Sequence, residues 1–223
     1  MNSHSVSRIA ISVAAVVLGL SAVALAGPPL ICHPVAIGEA KSLPSVDLNY
    51  RKGSGSYDLN NLTRDTLAIL DSNAPVLVRM ETLRRATIYA RQNPEVAKEL
   101  LTRLHERAAN SGASNAGGLA WFDLGYLAET YQQWMHDGAN PAAGLDGYGL
   151  VEKAIGLRGS DPEMEFAAAL IALSRSESDR NPHVEKAMAG AKTDPLLAQN
   201  LASFFNHQTI AESPTHPAAE LRK

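Results

Sequence analysis

A chain of 223 residues with 20 Lys and Arg against 23 Asp and Glu carries a small negative charge and lacks the dense basic surface that nucleic-acid binding requires. Its single cysteine excludes an internal disulfide framework, so the fold rests on core burial alone. Only 5% of residues are aromatic and alanine is abundant, which suits closely packed helices better than sheets.

The first element is an address. Met1 to Arg8 is polar with one basic side chain, and Ile9 to Ala26 is an unbroken run of apolar and small residues. The run closes on Ala24-Leu25-Ala26, a small-x-small site of the kind a signal peptidase cuts, with Gly27-Pro28-Pro29 beyond it. Residues 1–26 therefore read as a signal peptide, and the chain as exported, periplasmic or extracellular. The run is just long enough to span a bilayer, so an uncleaved anchor is the rival reading. No later run is long enough, and after cleavage no stable membrane span is expected.

Residues 27–60 are rich in Pro, Gly and Ser and show no sustained helical period, which predicts an extended segment lying on the domain or leading into it. This segment holds Cys32-His33, the one pair with ligand chemistry. A thiolate and an imidazole suit soft or borderline metals, but two ligands do not close a site. Leu30-Ile31 before Cys32 and Pro34-Val35 after His33 make an apolar setting. Such a setting predicts a buried, slowly reacting thiol that docks the segment onto the body. A metal or redox role for Cys32 and His33 stands as the alternative. The stretch Gly27-Pro28-Pro29-Leu30-Ile31-Cys32-His33-Pro34, continuing to Pro44, resembles the mature N-terminus of a group of uncharacterised exported bacterial proteins; the resemblance implies no activity.

From Leu62 the texture is helical. Asn93-Pro94, Asp161-Pro162, Asn181-Pro182 and Asp194-Pro195 each place a capping side chain before a proline, a signal for a helix start. Val96, Leu100, Leu104 and Ala108 form an apolar stripe, and so do Leu124, Leu127, Ala128, Tyr131 and Met135. Met164, Ala167, Ala168 and Ile171 form a third, and Leu197, Leu201 and Phe204 a fourth. These signals predict helices over 62–71, 74–91, 94–110, 117–136, 147–158, 162–175, 182–190 and 195–208. The expected fold is all-α: a helical domain over 61–209 made of antiparallel hairpins, with a flexible tail over 210–223.

Trp121-x-x-Leu124-Gly125 reproduces the opening of the tetratricopeptide signature, although Ala128 stands where that signature has Tyr. The stretch 74–208 thus resembles a degenerate tetratricopeptide-like solenoid, with a plain helical bundle as the other architecture.

No catalytic constellation is complete. His105-Glu106 opens like a zinc-protease helix, but Ala109 stands where the second His belongs. His136-Asp137 reads as a helix end, where a cation suits the dipole. His183, His207 and His216 have no spacing partner. Gly112-Ala113-Ser114-Asn115-Ala116 lacks the strand that a nucleophile elbow needs, and Gly53-Ser54-Gly55 lacks the lysine of a phosphate loop. No cofactor motif is present. Residues 74–110 carry seven Lys and Arg against four acids, and 111–180 carry four against ten. Such asymmetry steers partners, though it also describes ordinary solvated faces. The favoured role is a non-enzymatic, protein-binding or scaffold module, taking a protein or peptide partner in a groove lined by the helix at 117–136.

Overall fold

The computed structural model describes residues 30–45, 57–71, 73–112, 114–135 and 140–211, the last helix with its side chains through Phe205. It is all-α. Eight α-helices follow in chain order among these residues: α1 Leu62–Asp71, α2 Val76–Ala90, α3 Pro94–Asn110, α4 Asn115–Trp134, α5 Gly147–Arg158, α6 Pro162–Ile171, α7 Glu177–Ala191 and α8 Pro195–Ala211. Single 3-10 turns precede α1 at Leu59–Asn61 and extend α6 at Ala172–Ser174. No helix among the described residues is long and apolar enough to cross a membrane. The 1–26 signal reading, the His136-Asp137 helix end and the tail beyond Ala211 lie outside the described residues.

Three of the four Asx-Pro starts form as expected. Asn93 Oδ1 accepts from the Glu95 and Val96 N–H groups, Asp161 Oδ1 from Glu163 and Met164, and Asp194 Oδ1 from Leu196 and Leu197. Each cap satisfies donors that the first turn leaves over. The fourth start is corrected: Pro182 lies inside α7, which begins five residues earlier behind Ser176, whose hydroxyl accepts the Asp179 N–H at 3.2 Å. One internal hydrogen bond is lost at the proline.

α4 with α5 and α6 with α7 pair into antiparallel hairpins, and α4 with α5 is the more intimate of the two. Two glycines set that distance. A Cβ on Gly125 would lie 2.7 Å from the Gly147 carbonyl oxygen, and one on Gly147 would lie 2.7 Å from that of Gly125. The backbones meet because neither residue has a side chain. α2 is the axis of the domain. All of its residues except Arg85 are buried, and it packs against α1, α3, α4 and α6. The aromatic residues of α4 are mostly core: Phe122, Tyr126 and Tyr131 are fully buried. Trp121 and Trp134 are half-buried, covered by the Lys153 ammonium at 3.2 Å and the Arg91 guanidinium at 4.7 Å from their ring centroids.

The end of α1 is held by charge. Arg79 donates to the Leu70 and Ala74 carbonyls at 2.6 and 2.9 Å and to Asp123 Oδ2 at 2.6 Å. Arg107 reaches the same carboxylate oxygen at 3.0 Å and Asp71 at 2.9 Å. Cations suit this C-terminal helix end, whose carbonyls have no partners within the helix. Burial pushes the Asp123 carboxyl up to about 6, against the pull of the two guanidinium groups.

Candidate functional site

Residues 30–45 form a strap across the helices. It opens with a single 3-10 turn at Leu30–Cys32 and continues without helix or strand to Ser45. Over residues 30–45 the segment expected to be extended carries no helix or strand beyond that turn, which ends on Cys32. Leu30, Ile31, Val35 and Leu43 are buried. Side chains of three helices hold the strap by its main chain. Gln133 at the end of α4 accepts the Leu30 N–H at 2.7 Å. Glu81 of α2 accepts the Val35 N–H at 3.0 Å. Asn200 of α8 accepts the Ala36 N–H at 2.8 Å and donates back to the Ala36 carbonyl at 2.9 Å. Arg84 donates to the Ile31 carbonyl at 2.8 Å and Arg85 to that of Leu43 at 2.5 Å.

Glu81 is the centre of this clamp. One carboxylate oxygen takes Arg84 Nε at 2.8 Å, and the other takes Arg84 and Arg85 nitrogens at 2.9 and 2.7 Å. Burial alone would raise its pKa, but the bonds and charge of Arg84, the Val35 amide and Arg85 outweigh burial and lower it below the ordinary carboxylate range.

Cys32 and His33 differ in exposure. Cys32 is half-buried, whereas Leu30 and Ile31 are buried, so the aliphatic pair and not the thiol docks the segment. This corrects the expectation that Cys32 is the buried anchor. His33 is buried, its ring centroid 6.4 Å from that of Phe204 on α8. Among the described residues no group of three or more His, Cys, Asp or Glu side chains could hold a metal ion. Ile31→Ala is expected to lower the unfolding free energy by about 2–5 kcal/mol, as for a fully buried aliphatic. Cys32→Ser should change it by less than about 1 kcal/mol; denaturant titration of the two variants side by side tests the ranking.

A cavity of about 660 Å³ opens elsewhere, where α2, α6 and α8 begin and α5 and α7 end. α2 has no side-chain cap of its own, because Pro75 precedes it. Glu163 of α6 supplies one from outside, accepting the Leu77 N–H at 3.0 Å. Asp161 and Asp194 line the same cavity, and Arg158 pairs with Asp161 at 3.1 Å. Burial raises the Glu163 pKa; the Leu77 amide pulls it down, and the neighbouring Asp161 and Asp194 charges raise it further.

A third cluster was hidden from sequence reasoning. Glu165, fully buried on α6, faces His183 of α7, with Nδ1 and Oε2 2.5 Å apart. The two residues are 18 apart in sequence and lie on different helices, so no spacing rule joins them.

Comparison with known proteins finds no matching family model, no matching curated sequence and no matching solved structure.

Proposed function

We propose that this chain is exported behind its N-terminal signal and acts as a helical module that binds a protein or peptide partner. The strap fills the side of the domain reached by the end of α4, so the partner is received at the cavity where α2, α6 and α8 begin. What supports this reading is the crowding of carboxylates there. Glu163 is fixed in place by a backbone amide, and it lies near Asp161 and Asp194, whose negative charges oppose its ionisation. Asp161 is already paired with Arg158; Asp194 caps its own helix through one oxygen. A Lys or Arg side chain of the partner would relieve that repulsion and complete the charge balance.

The test uses the chain beginning at Gly27, with N-terminal sequencing of the exported protein checking cleavage after Ala26. Binding of Lys- and Arg-containing peptides is compared with that of Ala-substituted controls by calorimetry at pH 5 and pH 8. A bound cation favours the Glu163 carboxylate, so affinity should rise as pH increases through its raised pKa. Glu163→Gln keeps an oxygen for the Leu77 N–H but removes the charge. It should leave the fold intact, weaken binding by about fivefold or more and flatten the pH dependence. Peptides that bind equally well to Glu163→Gln, or basic peptides that do not bind at all, would refute the reading.

A further inference from the structure

Four polar groups in the cavity wall, on Ser160, Glu163, Thr193 and Asp194, are left only to accept a hydrogen bond. The carboxylates there each give one oxygen to helix N–H groups: Glu163 Oε2 to Leu77, Asp161 Oδ1 to Glu163 and Met164, and Asp194 Oδ1 to Leu196 and Leu197. Each helix that starts at the cavity is thus met by a carboxylate that offsets its positive end. The second oxygen of Asp161 takes Arg158 at 3.1 Å. Glu163 and Asp194 keep their second oxygens for a ligand, with the Val76 amide close to the first carboxylate.

The hydroxyls are committed as donors. Ser160 donates to Glu165 Oε1 at 3.0 Å, and Thr193 to the Gly190 carbonyl at 3.2 Å. Toward a ligand they offer lone pairs alone. Arg158, the cation in the wall, is bonded to Asp161 and to the Asn115 carbonyl at 3.4 Å.

Such a wall discriminates between the two basic side chains. A guanidinium is a planar fork whose strong contact is with both oxygens of one carboxylate. No carboxylate here has both to give. An ammonium carries three N–H donors and no acceptor, and it takes single oxygens from separate residues. Ala74, Pro75, Leu119 and Pro162 give the cavity an apolar part that suits the four-carbon stem behind an ammonium.

We infer that the cavity selects a lysine side chain of the partner over an arginine. The free oxygens of Glu163 and Asp194 bind the ammonium, and a Ser160 or Thr193 hydroxyl is the third acceptor. The inference rests on the reading of this cavity as the seat of a basic partner.

Calorimetry at pH 8 with acetyl-Ala-Ala-X-Ala-Ala-amide peptides tests the selection, where X is Lys, Arg, trimethyl-Lys or Ala. The Lys peptide should bind about tenfold more tightly than the Arg peptide, the worth of one charge-assisted bond. Trimethyl-Lys keeps the charge and the stem but has no N–H, and it should fall to the Arg level or below. Asp194→Asn keeps an oxygen to cap α8 and puts an amide N–H where the second oxygen was. It should lower the Lys affinity about tenfold with the melting midpoint unchanged. The peptide series needs no variant, so the selection stands or falls on it even if that chain folds poorly.

If no basic peptide binds, or if Glu163→Gln binds them all unchanged, the underlying reading fails and the selection goes with it. Arg bound as tightly as Lys, with Glu163→Gln still weakening both, overturns the selection alone. So does trimethyl-Lys bound as tightly as Lys, since charge without donors would then suffice. An all-Ala peptide with a free amino end that outbinds the Lys peptide would place the ammonium at a chain terminus, and that too would overturn it.

Discussion

Glu81→Ala is expected to lower the unfolding free energy by about 3–5 kcal/mol, a large share of the stability of a domain this size. The substitution removes the two bonds and the charge that Glu81 gives the buried Arg84 guanidinium and takes away the acceptor of the Val35 N–H. It also loosens the clamp that seats four aliphatic side chains of the strap. Denaturant unfolding measures the cost, and a loss under about 1 kcal/mol would mean the clamp is a surface contact after all. The same carboxylate predicts an acid limb. Its folded pKa lies below the ordinary value of 4.5, so the stability it contributes is present above that pH and is lost as pH falls through the folded pKa. Glu81→Gln should start from a lower midpoint and lose less of it on acidification.

Asp123→Ala should cost a comparable amount, about 3–5 kcal/mol, for a related reason. Asp123 is fully buried and is the only carboxylate on Arg79 among the described residues, so its removal leaves Arg79 as a charge in the core. Arg107 keeps Asp71 and loses less. A paired replacement, Asp123→Leu with Arg79→Met, removes both charges and should recover most of the loss at the pair itself. It still costs the donors that Arg79 gives to the Leu70 and Ala74 carbonyls. Comparing the single and double variants separates the ion pair from the helix-end bonds.

The helices were legible because their signals are local. α1, α3 and α5 begin and end where the sequence predicts, with Asn93 and Asp146 capping the last two and an apolar stripe running along α3. The start of α7 was misread at Asn181-Pro182, although Ser176-Glu177-Ser178-Asp179 carries the Ser-x-x-acid pattern of a helix start. α2 begins two residues later than predicted, because Asn73 takes a left-handed φ of 58° and Pro75 then precedes the first turn. The sites were much less legible. Glu81, Arg84 and Arg85 read as an ordinary basic helix face, and only the strap folded over them shows that two of the three are core. Glu163 is a first-turn acid of α6, yet it also caps a different helix, α2. Partners of this kind are set by tertiary packing, which single-sequence periodicity does not encode.

The strap also dictates the order in which the molecule can be completed. Its bond from Leu30 to Gln133 closes over 103 residues, and its bonds from Ala36 to Asn200 close over 164. Contacts so distant along the chain form late, because the loop must be closed before the contact rewards it. The hairpins of α4 with α5 and α6 with α7 join helices that are neighbours along the chain and need no such wait. Asn200 follows Ala36 by 164 residues along the chain. The strap is therefore seated last, and until α8 is in place Asn200 cannot clamp Ala36.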